Sequence, residues 1–311
     1  MSHMRHCYWA IVLVATGSLA GCHGKDDSAV RPSPPISASG PTPRSAPQER
    51  VSSRPVNPNG RVFVAMYHHL GDRKDPMFRK VTEFTGDLER MDKLGFRPVT
   101  VSAYLSGQMD LAPGSSPVVM TFDDANADQV RFLDDGTLDT TCMLGLWSAF
   151  AKTHPEFPIH ATFFVLPSLF GQSKWRAKKL ELLKSLGCEL ANHTITHPIL
   201  RKKTDEEVKK EIGDASEALV KLGQPLPTSL ALPFGSSPHN KELLHGFEWH
   251  GKRVELTGVF LVGSNPAPST TDPKFNRYAI PRIQANEGEF GLTYWLDLFE
   301  KGKVKVYVQR S

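Results

Sequence analysis

Pro117-Val118-Val119-Met120-Thr121-Phe122-Asp123-Asp124 reads as a strand that is apolar on both faces and runs into two adjacent carboxylates. A β-branched and aromatic run without polar alternation belongs in a parallel sheet covered on both sides, not in an antiparallel sheet with one wet face. Working outward, similar runs recur at Val62–Met66, Pro98–Val101, Ala161–Leu166, Glu189–Ala191, Ser229–Leu232, Val259–Val262 and Val304–Val308. Helical patterns lie between them. The clearest opens at Thr204 with Glu207 three residues on, a capping box, and carries an apolar stripe of Val208, Ile212, Ala215 and Leu219 as far as Gly223. A second carries Phe84, Leu88, Met91 and Leu94 and stops at Gly95, placed as a C-terminal cap. Strand-helix alternation from Gly60 to the C-terminus, about 250 residues, predicts a single α/β domain, a TIM-like (β/α) barrel. In such a fold the chemistry collects at the C-terminal ends of the strands.

Upstream of this domain the chain changes character. Arg5 and His6, the apolar run Tyr8–Ala15 and the small-residue ending Leu19-Ala20-Gly21-Cys22 follow the plan of a secretory leader too short to span a bilayer. Residues 23–59, rich in Pro, Ser, Ala and Arg, contain too little apolar side chain to offset their ordering entropy and are expected to form a mobile tether. The whole chain of 311 residues is 40% hydrophobic, which excludes disorder throughout. Its formal charge of +4 is spread along the sequence without a basic block, so nucleic acid is not indicated. Nothing in the sequence fixes an oligomeric state. Export permits a disulfide between Cys142 and Cys188, and two separately buried thiols fit the sequence equally well.

An Asp-Asp pair alone is more often a turn or a cap than a site. A second strand-like run, Cys188–Ala191, changes the reading, because it ends in Asn192-His193-Thr194-Ile195-Thr196-His197-Pro198. A helical turn there would put both imidazoles on one face, at the i,i+4 spacing used to present two nitrogens to zinc. Two histidines after one strand and carboxylates after another make a hydrolytic metal site with open positions for water and substrate.

Thr121-Phe122-Asp123-Asp124 and His193-Thr194-Ile195-Thr196-His197 resemble, in order and separation, the first two motifs of the polysaccharide deacetylases, the NodB-homology carbohydrate esterases. Ala161-Thr162-Phe163-Phe164-Val165 and Leu232-Pro233-Phe234-Gly235 are similar to two further segments of that family. Val64-Ala65-Met66-Tyr67-His68-His69 resembles the opening of its circularly permuted branch, which includes poly-N-acetylglucosamine deacetylases. The resemblance implies a distorted (β/α) barrel and removal of N-acetyl groups from an acetylated polysaccharide substrate. It makes Asp124, His193 and His197 the metal ligands, Asp123 the general base and the Phe234 N–H a donor to the oxyanion. Zinc is the favoured cofactor, with cobalt, nickel or iron able to substitute in a two-His, one-carboxylate set. Leu19–Cys22 resembles a bacterial lipobox, which implies lipidation at Cys22 and an exported protein anchored to the membrane at the cell envelope.

Two departures stand out. The family's late motif ends in a histidine, yet none follows His250, so the general acid is open and His68 is the candidate. Its third motif begins with an arginine where this chain has Ala231 and Leu232, so Arg282 is the candidate for orienting the base, with a surface salt bridge as the alternative reading. These losses keep a catalytically weak, membrane-tethered glycan-binding protein in view, and an O-acetyl esterase, which would ask only for a different cleft, is the other alternative. Trp147 and Phe132, in the long connection after Asp124, suggest either a sugar-stacking lid or ordinary packing, and packing is the expected outcome.

Overall fold

The structure, a computed structural model, describes residues 54–310, all within one compact unit, Glu49–Ser311. The expected leader, Cys22 and most of the expected tether lie outside the described residues. Residues 54–59, expected in the tether, are docked on the domain. Arg54 donates to the carbonyls of Gly95 and Gly114 at 3.1 and 3.0 Å, and Asn57 pairs with Val308. No described helix is long and apolar enough to cross a membrane.

Nine strands form the main sheet: β1 (Arg61–Tyr67), β2 (Phe96–Val99), β3 (Ser116–Asp123), β4 (Thr162–Val165), β5 (Glu189–Asn192), β6 (Ser229–Ala231), β7 (Gly258–Phe260), β8 (Ala267–Pro268) and β9 (Ile283–Gln284). They run β7-β6-β5-β4-β3-β1-β8, with β2 also on β3 and β9 also on β1, and every pairing but β1 with β8 is parallel. Ile280 bridges Phe260 of β7, and Ile283 pairs with Ala65 of β1, so the segment through Arg282 curls the sheet round into a distorted barrel.

Helices α1 (Val81–Lys93), α3 (Met143–Thr153), α4 (Arg176–Ser185) and α6 (Leu292–Glu300) cover the outside of the sheet, while α5 (Asp205–Lys221) packs over β6. α5 starts at the expected capping box of Thr204 and Glu207. Val101, expected to end a strand, instead starts the short helix α2 (Val101–Ser106), because the Thr100 hydroxyl accepts from the Ala103 N–H at 3.3 Å. Val304–Val308 makes only isolated bridges, to Arg61 and Asn57, and is not a strand.

The period-2 alternation of strand side chains positions the site. On β1, Phe63, Ala65 and Tyr67 belong to the outer core under the helices, whereas Val62 and Val64 belong to the barrel interior. On β3, Val118, Met120 and Phe122 face out and Val119 faces in. Ala191, Ala231, Phe260 and Ile280 are interior residues of the later segments. Continuing each parity to the strand ends puts His68, Asp123, His193 and Arg282 on the inner side of the barrel mouth. Trp147 and Phe132 are 1% and 4% exposed within the outer core, so packing accounts for both and neither faces a sugar. Cys142 and Cys188 are free thiols; Cys142 caps α3 by accepting from the Gly145 N–H.

Candidate metal centre and catalytic site

β3 ends on Asp123, and the next two residues, Asp124 and Ala125, both adopt positive φ, 72° and 54°. Aspartate tolerates that region; alanine adopts it at a cost on the order of 1–2 kcal/mol. The sharp reversal turns the Asp124 carboxylate back over the mouth while Asp123 stays on the inward side.

The second motif follows β5, but not as a helical turn. Thr194 and His197 have φ of 68° and 56°, and the segment has no helical assignment, so the two imidazoles converge through a tight loop rather than along a helix face. Side-chain hydrogen bonds replace the helical ladder. The Asn192 amide donates to the Ile212 carbonyl and the Ser216 hydroxyl of α5, both at 2.8 Å, while its oxygen accepts from the Thr194 N–H. Glu211 of α5, 8% exposed, accepts from the N–H groups of Ile195 and Thr196 at 3.1 and 2.9 Å and from the Thr196 hydroxyl at 2.6 Å. That loop carries His193, whose Nδ1 is 2.9 Å from the Ala231 carbonyl of β6. Donation there puts the lone pair on Nε2, facing the site.

Asp124, His193 and His197 bring one donor atom each within 4.8 Å of one another. The Asp124 Oδ1 lies 3.3 Å from the His193 Nε2 and 3.5 Å from the His197 Nε2. A tetrahedral ion with bonds of about 2.0–2.2 Å requires ligand separations of roughly 3.3–3.6 Å, and both separations from Asp124 meet it. The chain's own bonding points the same way: Asp124 Oδ1 and His193 Nε2 are buried without hydrogen-bond partners, the very atoms that would ligate. Burial works against charge on Asp124, but the adjacent His193 holds its carboxyl below the usual range. For His197, burial and then His193 lower the imidazole pKa, favouring the neutral ligating form.

Asp123 is 1% exposed and Arg282 is fully buried. The guanidinium grips the carboxylate with two bonds, Nη1 to Oδ1 and Nη2 to Oδ2, both 2.7 Å. Its Nε donates to the Leu261 carbonyl at 2.9 Å, which fixes the plane of the fork. Burial alone would raise the Asp123 pKa; Arg282, then His193, hold it well below the usual carboxylate range. The surface salt-bridge reading of Arg282 is thereby excluded. Gly263 lets the seam close, since a Cβ there would stand 2.8 Å from the Arg282 backbone nitrogen and oxygen.

His68 is 5% exposed, its Nε2 lies 3.8 Å from the Asp123 Oδ2, and its buried Nδ1 has no partner. Burial pushes its pKa down, while Asp123 and Asp124 pull it up. Phe234 sits in a turn with φ of 56°, and its exposed ring meets His197 edge-on at 4.7 Å. The structure therefore brings together Asp123, Asp124, His193, His197, His68, Arg282 and Phe234.

Two supporting residues escape a sequence reading. Gln129, fully buried, donates one carboxamide to the backbone carbonyls of His68 at 2.7 Å and Asp123 at 2.6 Å, clamping the ends of β1 and β3 together. Nothing in its sequence context marks it. Glu211 did leave a signal, as a carboxylate on the apolar stripe between Val208 and Ala215.

Comparison with known proteins agrees with this fold. Residues 111–253 match the family model for polysaccharide deacetylase. A peptidoglycan-N-acetylmuramic acid deacetylase of Bacillus subtilis is 33% identical over 76 residues, 24% of this chain and only 16% of that relative's length. Among solved structures, a Streptococcus pyogenes deacetylase in complex with acetate superposes with a TM-score of 0.55 at 17% identity, covering 77% of this chain and 98% of that one. A Bacillus cereus polysaccharide deacetylase does so with a TM-score of 0.56 at 16% identity, covering 77% and 69%. At such identities the structural likeness speaks for the fold.

Proposed function

This chain carries a polysaccharide deacetylase domain, and from that premise we propose that it is a metal-dependent hydrolase removing N-acetyl groups from an N-acetylglucosamine-containing polysaccharide at the cell envelope. The observation that carries the reading is the pairing of two arrangements in one mouth. Three potential ligand atoms gather within 4.8 Å, two of them, on Asp124 and His193, buried without partners, and beside them stands a buried carboxylate kept ionised by a bidentate arginine. A pure binding module has no physical need for the second.

In this mechanism Asp124, His193 and His197 hold the divalent ion, zinc by preference for a two-nitrogen, one-oxygen set. That ion supplies Lewis-acid polarisation of the acetyl carbonyl and acidifies water. Asp123, aimed by Arg282, accepts the proton of the attacking water. The Phe234 N–H donates to the oxygen that gains negative charge. His68 delivers a proton to the amine nitrogen as the C–N bond breaks, leaving acetate and a free amino sugar. Its place on the inner face of the mouth next to Asp123 supports it as the acid that the missing late histidine would otherwise supply.

Export and a lipid anchor at Cys22 complete the proposal and rest on the leader sequence alone. The test is acetate release by the zinc-loaded Glu49–Ser311 unit, which contains every described core residue and is expected to fold alone. N-acetylglucosamine oligomers, peptidoglycan and O-acetylated xylan serve as substrates. Release from the first two supports N-deacetylation. Release from xylan alone makes the protein an O-acetyl esterase, and tight glycan binding without release makes it a binding protein.

A further inference from the structure

A cavity of 730 Å³ opens on the wall of the barrel, from Arg61 at the start of β1 to Pro281 in the segment before Arg282, with Arg61, Lys274, Lys303 and Lys305 in its lining and none of the metal-site residues. Asp272 is the single acid of that lining, and it stands 3.9 Å from Arg61, too far for a hydrogen-bonded pair. None of the three lysines, all exposed, has a carboxylate within ion-pair distance among the described residues. The contrast with α5 is direct: Lys209, Lys210 and Lys221 there each face a carboxylate at 2.6, 2.6 and 3.6 Å. Four cations gathered round a concavity with one acid, which stands beside Arg61, leave a local positive potential that favours an external anion.

Two further observations say which anion. Asn57 and Asn59 also line the cavity, so the described chain enters the domain on this face. And β1 spans the barrel wall from Arg61, in the cavity, to His68, in the mouth; seven residues at about 3.3 Å each put the two roughly 20 Å apart at opposite ends. We propose that this basic face docks on the phosphate headgroups of an anionic lipid surface, so that the catalytic mouth opens away from the membrane toward its glycan. The docking is electrostatic and adds to any anchor at Cys22; the facing of the mouth toward a glycan rests on the hydrolytic reading, and the docking itself does not.

The test is co-sedimentation of the Glu49–Ser311 unit with vesicles of phosphatidylcholine alone or mixed with phosphatidylglycerol. Binding to the mixed vesicles only is expected. At roughly 1 kcal/mol per basic residue near an anionic surface, about fivefold each, Lys274→Glu with Lys303→Glu and Lys305→Glu lowers the partition coefficient on the order of a hundredfold. A charge-matched control, Lys152→Glu with Lys184→Glu and Lys252→Glu, keeps most of the binding. Both triple variants are expected to keep the parent melting temperature and the parent rate of acetate release from soluble oligomers. Equal loss in both triples would mean bulk charge, and no anionic preference would mean no lipid site; either overturns the proposal. Displacement by inorganic phosphate at constant ionic strength, without selectivity for anionic vesicles, would make the cavity a free-phosphate site and equally overturn it.

Discussion

Replacing Arg282 by methionine removes one half of an ion pair that is buried on both sides. The carboxylate of Asp123 is then left in the barrel without its two charge-assisted bonds, a loss of about 3–5 kcal/mol for breaking a buried pair. Asp123→Asn strands the guanidinium instead, at a similar cost. The double variant strands neither charge. What remains is the Leu261 carbonyl without its donor and the new carboxamide at position 123 without the fork, two unsatisfied buried groups worth about 1–3 kcal/mol each. The two single changes are therefore expected to sum to roughly 6–10 kcal/mol, while the double change costs about 2–6 kcal/mol, less than that sum. Urea unfolding of the Glu49–Ser311 unit in chelator, which keeps metal binding out of the balance, measures all three. Additivity within about 0.5 kcal/mol, or single changes under about 1 kcal/mol, would refute the claim that Arg282 holds an ionised Asp123 in place.

Other expectations follow from the same geometry. His193→Ala should leave the chain folded but unable to retain stoichiometric zinc, while Glu211→Ala, which frees the ligand loop, should weaken zinc by about 10–100-fold; atomic absorption and competition titration read both. Gln129→Leu should lower kcat about 10–100-fold while KM for a soluble oligomer and zinc affinity hold, since the clamp sets the spacing of His68 and Asp123 rather than any ligand. Lys179 is buried with its ammonium on the Phe170 carbonyl at 2.7 Å, and burial brings its pKa down to about 8, with Cys142 pulling it up and Arg131 down. A folded pKa below the unfolded one penalises the charged form. The penalty is full below about pH 8 and fades as pH rises towards the unfolded value near 10.5. Lys179→Met should flatten that rise in melting temperature between pH 8 and 10 relative to the parent.

How much of this was legible in the sequence depends on the range of the contacts involved. β3, β5 and their terminal motifs could be read because apolar runs and nearby ligand pairs are local signals. Arg282 could only be suspected, since its partner Asp123 is 159 residues away and the two meet only when the segment after β7 closes against β1. The helical turn expected at His193–His197 failed because spacing alone cannot distinguish a helix from a loop held by side chains; Asn192 and Glu211 supply the bonds that let Thr194 and His197 turn with positive φ. Trp147 packs as expected, an aromatic being more often core than a sugar platform, in the outer core that α3 makes with the sheet. Gln129 is opaque for a different reason: its role is to donate to two backbone carbonyls, and backbone partners leave no pattern in sequence.

The central claim is that Asp123 works as a base beside a metal held by Asp124, His193 and His197. It is tested most directly by acetate release from N-acetylglucosamine oligomers, comparing the zinc-loaded domain, the same domain in chelator, and Asp123→Asn. The account predicts release that stops in chelator, returns with zinc, and falls about 10²–10⁴-fold in Asp123→Asn although that variant still binds zinc and oligomer. Release that persists in chelator, or an Asp123→Asn variant as fast as the parent, would contradict it.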